Sequence, residues 1–253
     1  MNDFNGLTFK GAAKPLDDID LPKLGNRIGV GEDELHAFMD VETRGTGFDS
    51  EGRPRILFER HIFWKYLPKE KRANAPRDLA NSQSGGYGAE SAQYGRLKRA
   101  LKIDRRAALF ACSWGLGQVM GFNHKAAGYA DIDSMILAFM DDEEAHLEAA
   151  VQFIITNRLD DELRRHDWAG FAKGYNGPAY RKNRYDTKLA EAFRKWSRIK
   201  DTPWQPEPVT SKPAPPSDPL PEPEPDNSGP RGLMAVLVAI IGMISKLFER
   251  KTT

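Results

Sequence analysis

Cysteine is almost absent from this sequence: Cys112 is the only one in 253 residues. No intrachain disulfide can form, so the fold must be held together by its own core. Cys112 lies in the apolar run 107–114 and reads as a small buried hydrophobe. The first fourteen residues lack a basic start followed by an apolar stretch. No secretory signal peptide is therefore expected, and synthesis in the cytoplasm is. His61 and His124 have no partner at metal-ligand spacing, so neither a metal site nor a cofactor is assigned. An excess of one charge is also missing, since the whole chain carries +1 and residues 1–200 carry +3. That bias is far from the footprint of a nucleic-acid-binding protein, although it suits an anionic polymer.

Proline is scarce until residue 203, after which 11 of the 17 prolines fall between Pro203 and Pro230, mixed with acids. Such a segment has too little apolar surface to offset its ordering entropy, so residues 201–230 are expected to form an extended, disordered linker. Residues 1–200 then form the domain. Its pattern is mainly helical, with apolar spacing over Glu32–Thr43 and a start near Asp104. One long helix is expected from Asp133 through Ile155, and shorter ones after Asp167 and Asp186. Ile56–Phe58 is the best strand candidate, so the sheet is small at most. Residues 72–95 read as a surface loop over a cleft.

Glu42 falls on an apolar stripe. Leu35, Phe38, Met39 and Glu42 are spaced i, i+3, i+4, i+7, which turns an acid toward the core. Burial disfavours the ionised form and should raise its pKa. A carboxylic acid protonated near neutral pH is what glycosidic cleavage needs. The following Gly45 and Gly47 would end the helix and let a chain-like substrate approach the backbone. Taken alone, Glu42 could equally turn to solvent or pair with Arg44. Two further clusters are the Gly-rich turn Ser113–Gly121, which carries Gln118, and the turn Gly174–Pro178, which carries Tyr175 and Asn176.

An acid ending a helix, then Ser-x-Gly-x-Gly-Gln-x-Met, then Tyr-Asn-Gly, resembles the goose-type lysozyme and lytic transglycosylase superfamily. Residues 15–196 are similar to the phage endolysin family of N-acetylmuramidases, through RIGVGEDELHAFMDVETRGTGFD, GRPRILFERHIFW, SWGLGQVMGFNHKAAGY and RHDWAGFAKGYNGPAY. The resemblance implies a lysozyme-like fold and cleavage of the β-1,4 bond between N-acetylmuramic acid and N-acetylglucosamine in peptidoglycan, with Glu42 as general acid. Glu59 matches a second acid of the family, and Asp49 is its rival. Ser113, Gln118, Tyr175 and Asn176 would bind substrate in the cleft. A lytic transglycosylase acting on the same bond, and a non-catalytic wall-binding protein on the same fold, are the competing readings. Family members often carry a separate wall-binding module, and none is read in this sequence.

The run Gly232–Ser245 is apolar or small, flanked by Arg231 and by Lys246, Arg250 and Lys251. Leu233, Val236, Leu237, Ile240, Ile241, Ile244, Leu247 and Phe248 form one helical stripe. Residues 231–253 are therefore expected to be a membrane-associating helix, either spanning or lying in the interface. The enzyme would then act on the cell wall while associated with the membrane.

Overall fold

The computed structural model describes residues 4–206, except 43, 44 and 179. In chain order these form α1 (Phe4–Leu7), α2 (Asp20–Ile28), α3 (Glu32–Glu42), β1 (Ile56–Phe58), α4 (Arg60–Tyr66), α5 (Lys69–Arg72), α6 (Gln93–Leu101), α7 (Arg105–Phe110), β2 (Cys112–Trp114), β3 (Val119–Met120), α8 (Ile132–Asp141), α9 (Glu143–Thr156), α10 (Asp160–Arg164), α11 (Trp168–Asn176) and α12 (Tyr185–Trp196). The sheet is antiparallel in the order β1-β2-β3, with Leu57 opposite Ser113 and Trp114 opposite Val119. The mainly helical domain with a small sheet is thus present. Among the described residues, no helix is long and apolar enough to cross a membrane. The linker and tail helix expected beyond 206 lie outside the described residues.

Several local signals act as read. Asp104 caps α7 by accepting from the Ala107 amide, and Asp167 caps α11 by accepting from Gly170. Trp114, Met120 and Cys112 are fully buried. Burial also pushes the Cys112 thiol well up, which leaves it inert.

The single helix expected from Asp133 is two helices. Asp131, not Asp133, is the N-cap of α8, in a reciprocal capping box with Ser134. At Asp142 the backbone turns extended, and that carboxylate accepts from the Glu144 amide to start α9. Lys14 explains the break. Its amide donates to the Asp141 carbonyl and its carbonyl accepts from the Glu143 amide, so the N-terminal segment takes over backbone groups a continuous helix would have used.

Helices α11 and α12 seat α3. His36 of α3 stacks on Trp196 of α12 at 3.8 Å, and Trp196 donates its indole N–H to Asp40 at 2.9 Å. Phe38 meets Tyr175 of α11 edge-on at 5.3 Å. The end of α3 that carries Glu42 is therefore fixed from two sides.

Candidate active site

Glu42 is the last residue of α3 and is only 5% exposed. Asn176, at the end of α11, donates from Nδ2 to its Oε2 at 3.0 Å, while Oε1 has no hydrogen-bond partner among the described residues. Burial pushes the carboxyl from its ordinary 4.5 up to about 8; the Asn176 hydrogen bond and the charge of Lys188 pull it down by less. Tyr175 is buried beside this acid, and its phenol is raised first by burial and then by Glu42. The helix ends of α3 and α11 thus bring together three of the residues read from sequence.

Four residues beyond Glu42 the chain enters a cleft of about 780 Å³, whose walls include Thr46, Asp49, Arg55, Leu57, Glu90 and Gln118. Gln118 sits at a positive φ of 47° on the Gly-rich turn. Its Nε2 donates to the Gly115 carbonyl at 2.8 Å, and its Oε1 accepts from the buried Ser113 hydroxyl at 2.8 Å. Ser113 and Gln118 therefore form one unit, in which the serine fixes the amide that faces the cleft.

The two candidates for a second acid have opposite environments. Asp49 lines the cleft, yet its oxygens are occupied by Arg53 at 2.7 Å and by the amides of Glu51 and Arg53. Glu59 is fully buried at the start of α4, and neither of its oxygens has a hydrogen-bond partner among the described residues. His61 Nδ1 lies 3.1 Å from Oε2, outside hydrogen-bonding geometry. The phenol of Tyr87 is raised first by its burial and then by the Glu59 charge beside it.

Beneath the cleft lie two residues that the sequence reading passed over. Glu143 and His146 stand one turn apart on α9. Glu143 Oε1 accepts from the Thr46 hydroxyl at 2.8 Å and from the Gly47 amide, and Oε2 accepts from the Leu16 amide at 3.2 Å. His146 accepts from the Leu116 amide at Nδ1, 3.1 Å away, and Nε2 lies 2.7 Å from the Phe139 carbonyl. Those partners assign a neutral imidazole with its proton on Nε2. Burial agrees, since it lowers the imidazole from 6.5 to about 4. A Cβ on Gly47 or Gly115 would overlap this ring. The glycines of both cleft loops are therefore required by the histidine below them. The available signal was a Glu-x-x-His pair at one-turn spacing in α9.

A buried acid at a helix end, a small sheet beside a helical body and an amide-lined cleft that Glu42 itself does not line fit a lysozyme-type glycoside hydrolase. The family model for N-acetylmuramidase matches residues 32–197, and the chain belongs to that family. The crystal structure of the Burkholderia AP3 phage endolysin is similar, with 41% identity and a TM-score of 0.68 over 73% of this chain and 72% of that one. No curated protein matches. The protein is therefore a peptidoglycan hydrolase.

The raised acid has a consequence for stability. Folded Glu42 holds its proton up to about pH 8, whereas the unfolded residue releases it near 4.5. Its contribution is fully present below 4.5 and is lost as pH rises through about 8. Glu42→Gln removes this loss. Between pH 5 and pH 8.5 the wild type should lose on the order of a few kcal/mol relative to the variant, read from urea midpoints. Parallel midpoints across that range would show that Glu42 is not a buried acid.

Proposed function

We propose that the chain is an endolysin-type N-acetylmuramidase, which hydrolyses the β-1,4 bond between N-acetylmuramic acid and N-acetylglucosamine with Glu42 as general acid. The observation that carries this reading is the buried, protonated carboxyl with one oxygen unused. A buried polar atom without a partner is costly unless a ligand completes it. Here the leaving glycosidic oxygen would take the Glu42 proton as its bond to the anomeric carbon breaks. The Ser113–Gln118 unit, Tyr175 and Asn176 position the sugar and the acid. The likeness to the AP3 phage endolysin supports a role in phage lysis, with the cell wall as the place of action.

For the second acid we favour Glu59. Among the described residues its carboxylate meets only His61, 3.1 Å away, and the Tyr87 phenol, whereas the oxygens of Asp49 are committed to Arg53 and to turn amides. Glu59 would accept a proton from the attacking water. Its enclosure also gives specific support to the alternative reading. If no carboxylate reaches the water, the same acid would serve a lytic transglycosylase, which closes an anhydro ring without water. We further propose residues 201–230 as a linker and 231–253 as a membrane-associating helix; the support for the latter is its apolar stripe alone.

Glu42→Gln should fold and lose at least about two orders of magnitude in rate on purified peptidoglycan. Near-normal turnover would remove Glu42 from the reaction. Mass spectrometry of the wild-type digest should show reducing ends, and anhydro ends would assign the transglycosylase.

Glu59→Gln should reduce kcat by a similar order, while Asp49→Asn should mainly alter KM or stability through the lost Arg53 pair. The reverse pattern would transfer the role of base to Asp49.

A further inference from the structure

Charge is strongly segregated along the chain, although the totals nearly cancel. Residues 60–106 carry twelve Lys and Arg against four Asp and Glu, a net +8. The rest of 1–200 carries twenty against twenty-five, a net −5. The basic stretch is one lobe: α4 packs on α7, α7 packs on α6, and Lys71 of α5 ties to Asp104 and the Ile103 carbonyl at the α6–α7 turn. Part of the charge is used internally. Lys71, Arg99 and Arg105 pair with carboxylates, and Arg60, Arg72 and Arg96 hold backbone carbonyls. Lys65, Lys69, Arg77, Lys98, Lys102 and Arg106 are exposed, with no carboxylate partner among the described residues.

The position of the lobe relative to the cleft is informative. Leu57 of β1 lines the cleft, and α4 begins three residues later. Gln93 lines it too, and is the first residue of α6. No residue of α4, and none of α6 after Gln93, lines the cleft. At 1.5 Å per residue, Lys98 and Lys102 stand about 8–14 Å along α6 from that wall. The large exposed hydrophobic side chains among the described residues are Leu7, Ile19 and Ile199, none of them on the lobe. A bilayer-binding surface would need an apolar face to bury, which this one lacks.

We propose that the α4–α7 lobe is a second wall-binding surface, whose free cations take the carboxylates of peptidoglycan stem peptides while the cleft holds a glycan strand. The inference rests on the peptidoglycan reading above and supplies what the cleft alone does not, namely attachment to neighbouring strands of the same polymer. Peptidoglycan repeats its carboxylates along every strand, so a dispersed set of exposed lysines suits it better than a single groove would. The attraction is between exposed charges and is screened by salt.

The test is sedimentation of the full chain with intact sacculi, in a Glu42→Gln background so that the wall is not consumed. Lys65→Glu, Lys69→Glu, Lys98→Glu and Lys102→Glu combined should weaken binding at least about tenfold at low ionic strength, and the difference should vanish near 0.5 M salt, where screening is almost complete. Carbodiimide amidation of the sacculus carboxylates should abolish it as well. In the otherwise wild-type protein the same four changes should leave turnover of a short soluble glycan fragment unchanged. If the charge-reversed chain fails to fold, the parent protein's binding to amidated and unmodified sacculi decides the point alone. Equal binding by parent and variant, or equal binding to both wall preparations, would overturn the proposal. So would a difference seen only on vesicles containing anionic phospholipid. A Glu42→Gln chain that still digests the wall would instead count against Glu42 as the acid and leave the lobe untouched.

Discussion

The constraint on which the structure turns is that a carboxyl must be kept out of water at the end of a helix. An ionised Glu42 in that position would be expensive, so the site is stable only with the proton on. Keeping it buried requires α3 to be immobilised at the end that would otherwise fray. The His36–Trp196 stack, the Asp40–Trp196 hydrogen bond and the Phe38–Tyr175 contact do this from α12 and α11. The Asn176 amide then orients one oxygen and leaves the other free. Burial, proton affinity and chemical readiness are three consequences of the same packing.

The cleft depends on a second device one layer down. Glu143 and His146 project from α9 into the space below two glycine-rich loops. One loop follows α3 and the other carries Gln118. The loops also meet through Arg55, whose amide donates to the Gly47 carbonyl and whose carbonyl accepts from Gly115. A shift of either loop would leave a buried donor without an acceptor, which gives the cleft a defined shape. The break at Asp142 belongs to this arrangement, because it starts α9 at the register that points Glu143 and His146 under the loops.

What could be read from sequence follows from how local each cause is. The apolar stripe ending on Glu42, the caps Asp104 and Asp167, and the buried Trp114 are decided within a turn or two of chain. Asp142 looked like the middle of a helix because the residue that breaks it, Lys14, lies more than a hundred positions away. β2 and β3 have three and two residues, too few for an alternating pattern to register. Glu143 and His146 were hidden because polar residues in a buried helix declare their purpose only through partners on other elements. The basic stretch 60–106 is masked in a total of +3 over residues 1–200, which averages +8 against −5, and only packing shows it to be one lobe. The family motifs name Glu42, Glu59 and Asp49 together, but they could not show that Asp49 is committed to Arg53 while Glu59 is enclosed beside His61 and Tyr87.

The central claim is that Glu42 is a neutral acid at working pH. A carbon-13 NMR titration of side-chain carboxyls in glutamate-labelled protein, with Glu42→Gln for assignment, measures this directly. The account expects one glutamate resonance titrating near pH 8, as burial of Glu42 requires, and its absence from the variant. Titration of the Glu42 resonance near its ordinary 4.5 would contradict the account, because the residue would then be an ionised surface acid with no proton to give.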